Sequence, residues 1–195
     1  MINLKKGDAP VTLNKVSEVT VKMMWPNKTD YDLGAEILYQ DGTTESIAMF
    51  GAGALPVRQE SSDGSVRHSG DVGRGWTLMG SRSAEESLTI KLDGSTRVVA
   101  IAPWAYSAQS NGTGSFRKYA VTLVISDGTN HVKIEAVNAN DNDTVYTCVP
   151  GIISVVDGRV TVAYDEKYSA RGSENRPAWS GTRLVMDAGP RNNYK

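Results

Sequence analysis

Five stretches of this chain alternate apolar and polar residues with a period of two, and that period fixes the fold class. In "EVTVKMMW" the residues Val19, Val21, Met23 and Trp25 fall on one side. "SLTIKL" repeats the pattern with Leu88, Ile90 and Leu92, and "YAVTLVI" with Val121, Leu123 and Ile125. "HVKIEAV" places Val132, Ile134 and Ala136 together, and "RVTVAY" does so with Val160, Val162 and Tyr164. Alternation over five or six residues marks a strand with one buried face. "RVVAIAPW" is apolar almost throughout, as a strand covered on both sides would be. Asp-Gly pairs at 41–42, 63–64, 93–94, 127–128 and 157–158 supply the turns, because glycine takes positive φ and aspartate tolerates it while bonding nearby backbone. The pairs at 127–128 and 157–158 sit between two strand-like runs, a strong hairpin signal. No segment keeps a helical period over three turns. About ten short strands at this spacing predict an all-β, two-sheet antiparallel β-sandwich with long loops.

Two loops interrupt the pattern. Residues 51–84 are rich in Gly, Ser and Arg and show no clear strand, and residues 106–116 form a shorter polar loop. From Tyr168 onward the alternation stops and Arg, Pro and Gly accumulate. The organisation expected is a sandwich domain over 1–167 followed by an irregular C-terminal extension or arm over 168–195. A chain of 195 residues is long enough to bury a sizeable core.

Composition narrows the function. The formal net charge is −1, which gives no electrostatic case for nucleic acid or an anionic membrane. One cysteine, Cys148, excludes an internal disulfide. No apolar stretch approaches the roughly 20 residues of a membrane helix, and the first ten residues lack the apolar core of a secretory signal. A soluble, intracellular protein without direct membrane insertion is expected.

Three kinds of chemistry bear on the candidate residues. Nucleophilic catalysis needs a base beside the nucleophile, and the chain has only His68 and His131. His131 falls at a hairpin turn, His68 in the long loop, and Cys148 in an apolar strand, so buried thiol and turn histidines are the expectation. A hydrolase built on His68 and Asp63 is the least favoured reading. "GDVGRG" lacks the Gly-Lys-Ser/Thr ending of a phosphate loop, and "NGTGSFRK" is a weak anion nest. Hard-metal binding asks for carboxylates. Asp30 and Asp32 lie one residue apart and share a side if extended, Asp71 occupies a Gly-flanked turn, and Glu85 and Glu86 precede a strand.

Several blocks in order resemble the TerD-like proteins, the bacterial tellurium-resistance and general stress family. "INLKKGDAPVTLNK" is similar to the family's amino-terminal strand pair with its lysine-glycine turn. "DYDLGAEIL" resembles its Asp-aromatic-Asp-Leu-Asp motif. "SSDGSVRHSGD" is the most specific match, and "AEESLTIKLDG" and "NGTGSFRKYAVTLVISDGTNHVKIEAVNAN" follow. The resemblance covers roughly residues 2–166. It implies a β-sandwich, no enzymatic reaction, and calcium sites in which Asp30, Asp32, Asp71, Glu85 and Glu86 hold ligand or near-ligand positions. It also implies a calcium-dependent binding module in membrane-associated stress or phage-defence complexes.

The departures shape the expected function. Gly34 stands where the motif has its third aspartate, Val72 replaces an asparagine, and Arg74 and Arg82 stand among former carboxylates. Guanidinium groups compete for carboxylate oxygens with fixed geometry, so at least one calcium site is expected to be lost to Arg–carboxylate pairs. Calcium is the one cofactor to test; otherwise none is expected. Trp76, Leu78 and Met79 in the long loop, with Trp179 in the tail, are the expected partner-binding residues. The partners expected are other proteins or copies of this chain, not nucleic acid. The leading reading is a non-enzymatic, cytoplasmic bacterial TerD-like module with calcium sites reduced or lost. The alternative is a structural or assembly protein, such as a phage capsid or tail component located in the virion.

Overall fold

The computed structural model describes residues 1–13, 17–26, 29–72, 83–93, 96–109, 115–136 and 143–193. Their strands are β1 (Ile2–Asn3), β2 (Val11–Leu13), β3 (Glu18–Pro26), β4 (Asp32–Tyr39), β5 (Thr44–Ala48), β6 (Val66–His68) and β7 (Ser83–Lys91). They continue with β8 (Val98–Tyr106), β9 (Thr122–Ser126), β10 (His131–Glu135), β11 (Thr147–Val156), β12 (Arg159–Tyr168), β13 (Ala178–Ser180) and β14 (Arg183–Val185). Two six-stranded sheets result. The first has the order β1-β10-β9-β3-β7-β6 and the second β2-β12-β11-β8-β4-β5, while β13 and β14 form a separate hairpin. All pairings are antiparallel except β1 on β10. The architecture is the all-β sandwich that the alternation predicts.

The turn chemistry sets the register. Val156 pairs with Arg159, leaving Asp157 and Gly158 as a two-residue hairpin loop with φ of 50° and 71°. Positive φ at both central residues matches the twist of the flanking strands. Between β9 and β10 the loop is longer, since Ser126 pairs with His131 and Asp127 Oδ1 accepts the N–H groups of Thr129 and Asn130.

The main core lies between the sheets. Val19, Val21, Met23 and Trp25 of β3 meet Leu33, Ala35 and Ile37 of β4 there, with Leu88 and Ile90 of β7, Leu123 and Ile125 of β9, and Val160 and Val162 of β12. These are the residues that the period of two places on one face. Cys148 is buried among them, where burial pushes its thiol up.

A second core lies on the opposite face of the second sheet. Ala48, Phe50, Ala102, Trp104, Tyr106, Tyr146 and Val149 cluster there with Leu184, and Trp179 and Met186 pack at its edge. The C-terminal segment is therefore a third layer on the sandwich, with a short β13–β14 hairpin where an irregular extension is expected. Being covered on both sides, β4 is buried along all eight residues, and β8 is nearly so. The long loop also contains more order than its composition suggests. β6 pairs with β7, and Ser61 Nα donates to the Val66 carbonyl around the Asp63-Gly64 turn.

Candidate metal centre

Three carboxylates from three elements converge at one end of the sandwich. Asp32 opens β4, Asp71 follows β6, and Glu86 belongs to β7; one oxygen of each lies within 4.8 Å of the others. Asp32 and Glu86 are buried, and Asp71 is exposed. The side chain of Glu86 organises the site. Its Oε2 accepts the Leu33 N–H at 2.7 Å and its Oε1 accepts the Val72 N–H at 2.8 Å. One side chain thus fixes the start of β4 and the segment after β6 against β7.

His68 completes this framework. Its Nδ1 accepts the Gly70 N–H at 2.9 Å, and its Nε2 lies 3.0 Å from the Leu33 carbonyl and 3.5 Å from Glu86 Oε2. A ring nitrogen that accepts an N–H carries no proton, so Nε2 holds it and donates to Leu33. Both nitrogens are engaged in positioning backbone. Asp63, the other residue of the hydrolase reading, accepts from Ser61 and Ser65 through Oδ1 in its own turn.

The five acids of the sequence reading separate here. Asp32, Asp71 and Glu86 come together. Glu85 points to the other side of β7, where it is half-exposed and pairs with Lys22 across the strand at 2.9 Å. Strand alternation requires this, since neighbours on a strand face opposite ways. Asp30 is half-buried and lies outside the converging group. Tyr31, between the two aspartates, is fully buried against Trp25, Phe116 and Tyr119, and burial pushes its phenol well up.

The glycine in the aspartate motif has a steric cause. A Cβ at position 34 would overlap the Trp104 indole ring. Trp104 is fully buried beneath the C-terminal segment. An aspartate at 34 is excluded by the aromatic second core. Trp179, assigned to partner contact from the sequence, is half-buried on that core and donates its indole N–H to the Glu36 carbonyl at 3.1 Å. Trp76, Leu78 and Met79 lie outside the described residues, as do Arg74 and Arg82.

Sequence reasoning missed the charged part of the second core. Arg176 is 2% exposed and donates to Asn192 Oδ1, Ser46 Oγ and the Phe50 carbonyl at 2.7–2.9 Å. Its guanidinium lies over the Phe50 and Trp104 rings. Ser46 in turn donates to Glu36 Oε1, which also accepts from the Trp104 indole. Burial pushes the Glu36 carboxyl up to about 8, against the opposing pull of these hydrogen bonds and of Arg176. Glu174 is buried as well, accepting from Tyr106 Oη, the Gln109 N–H and Arg191. The available signal was a lone glutamate inside the apolar run of β4, which needs a partner when buried on both faces.

Similarity to known proteins agrees with this architecture. No family model and no curated protein matches the sequence. Solved structures do match. A protein of unknown function, SAV2460, superposes with a TM-score of 0.56 at 15% identity, over 80% of this chain and 91% of its own. A homologue of the telluride resistance protein TerD, SCO6318 from Streptomyces coelicolor A3(2), superposes with a TM-score of 0.51 at 15% identity, over 78% and 90%. The chain has a TerD-like fold. Each superposition leaves about a fifth of this chain uncovered.

The donor set fits a hard divalent cation. Three carboxylates offer oxygen ligands of the kind calcium takes. Each oxygen of Glu86 accepts one N–H and keeps a second lone pair. Asp71 lies at the surface, where solvent reaches the group.

Proposed function

We propose that this chain is a divergent, non-enzymatic TerD-like binding module with one reduced cation site. Asp32, Asp71 and Glu86 would hold calcium there, and the module acts through contacts with other proteins in the bacterial cytoplasm. The observation that carries the reading is the convergence of these three carboxylates from β4, the segment after β6, and β7. Calcium bound there would be met by carboxylate oxygens from three elements, the ligand type that a hard divalent cation takes. Asp30 and Glu85 stand outside the group, so the five acids implied by the family resemblance reduce to three.

In this reading the chain's own residues perform two tasks. Glu86 ties two backbone segments to β7 with or without a cation, and His68 keeps those segments in register. Asp32 and Asp71 bring the remaining negative charge to the same point. Titration of the chelator-treated protein with calcium is expected to give a saturable heat near one ion per chain. Asp32→Asn is expected to abolish that heat, and Glu85→Gln to leave it unchanged. No heat with the unsubstituted protein, or equal loss in both variants, would refute the assignment.

A further inference from the structure

The C-terminal layer is attached to the same strands and loops that frame the acidic site. Asp32 lies directly opposite Tyr106 in the β4–β8 ladder, and Tyr106 lies opposite Thr147 in the β8–β11 ladder. Each of these neighbours is bonded to the C-terminal segment. Tyr106 Oη donates to Glu174 Oε1 at 2.9 Å, and the Gln109 N–H in the following loop donates to the same oxygen at 2.9 Å. Ser169 Oγ accepts from the N–H groups of Tyr146 and Thr147, and the Gly172 N–H donates to the Thr144 carbonyl at 2.7 Å. Farther along, Arg176 ties the segment to Ser46 of β5 and to Phe50. β5 is the partner of β4 on its other side. The two strands flanking β4 are therefore both clamped by the segment over 169–193.

The anchors are of the kind that hold one geometry. Glu174 is 2% exposed, and its carboxylate meets Tyr106, Gln109 and Arg191 at once. Losing such a buried acceptor strands several donors, which makes displacement of the segment costly. The strand that carries Asp32 has little independent freedom while this holds.

We infer that the C-terminal segment is a positioning strap for the acidic site, with Glu174 as its positioning residue, so that cation binding and seating of the segment reinforce each other. The inference rests on the cation reading above and adds a role for residues that touch no ligand. Coupling between two sites is reciprocal. If the seated segment favours the cation-binding arrangement of Asp32, the bound cation must favour the seated segment.

The test is hydrogen–deuterium exchange of the full chain, with calcium alone as the ligand, paired with calorimetry. Saturating calcium is expected to slow amide exchange over residues 170–193, which contain none of the three acids. Glu174→Ala is expected to weaken calcium binding roughly five- to tenfold, within the range usual for coupled sites. Glu174→Gln, which keeps an acceptor oxygen for Tyr106 and Gln109, is expected to restore most of the affinity. Unchanged exchange over 170–193 in calcium-saturated protein overturns the inference while leaving the cation site standing. That measurement uses the unsubstituted chain, so it decides the matter even if Glu174→Ala does not fold. Absence of any calcium heat in the unsubstituted chain overturns the cation reading and the strap together.

Discussion

Glu86 and Glu174 are both buried carboxylates, and they are held in opposite ways. Glu86 is met by two backbone N–H groups and lies beside His68, with two further carboxylates close by. Glu174 is met by Arg191, and Glu36 faces Arg176 through the Ser46 hydroxyl. One region brings three carboxylates together around backbone N–H groups, and the other sets its carboxylates among guanidinium, hydroxyl and indole donors. The difference shows two uses of a sheet with two faces. At the start of β4, acids converge from three elements. On the outer face, acids lock a third layer in place.

The largest effect is expected from Arg176→Ala. It removes a buried cation with three hydrogen bonds and two ring contacts. Loss of one partner from a buried charged network costs about 3–5 kcal/mol. A melting curve is expected to shift down by roughly 6–20 °C for a domain of this size. A loss below about 1 kcal/mol would mean that the second core does not depend on its charges.

Gly34→Ala is next. The added methyl overlaps the Trp104 ring, and overpacking of this kind costs about 1–3 kcal/mol. Denaturant unfolding would measure it. A neutral outcome would break the link between the altered aspartate motif and the C-terminal layer.

Glu36→Gln sharpens the comparison through pH. The folded chain holds a proton on Glu36 up to about pH 8, whereas the unfolded chain releases it near the ordinary glutamate value. This group's contribution is fully present below the ordinary value and is lost as pH rises to about 8. The slope is at most about 1.4 kcal/mol per pH unit. The glutamine variant is expected to match the parent at low pH and exceed it in stability at pH 8. Parallel stability–pH curves for the two proteins would show that Glu36 keeps its charge beside Arg176.

The smallest effect is expected from Lys22→Ala. The Lys22–Glu85 pair is about half-exposed on both sides, and such pairs contribute about 0–1 kcal/mol. A larger loss would return Glu85 to consideration as a working part of the acidic site.

The inner face was legible in the sequence because one rule governs it. Val19, Val21, Met23 and Trp25 alternate with exposed or half-buried residues, and the structure buries that set together. The acidic site was legible in part. Asp32, Asp71 and Glu86 stand in blocks that resemble a known family, but only the alternation of β7 separates Glu86 from Glu85. The outer face was largely hidden. Its strands carry no alternation to read, because β4 and β8 are covered on both sides. Its charged anchors are far apart in the chain, with Ser46 and Arg176 separated by 130 positions. No local pattern announces a hydrogen bond of that span. The isolated Glu36 within "DLGAEILY" was the single local sign that such a partner existed.

The most direct test of the central claim is the melting temperature of the unsubstituted chain, stripped with chelator and then taken to saturating calcium. A ligand that binds only the folded state at 100 times its dissociation constant adds roughly 2.7 kcal/mol, which raises the melt by about 5–10 °C for a domain of this size. The account predicts such a rise, approaching its plateau with one ion per chain. An identical melt in chelator and in calcium would contradict it, and would leave the three carboxylates as part of the fold alone.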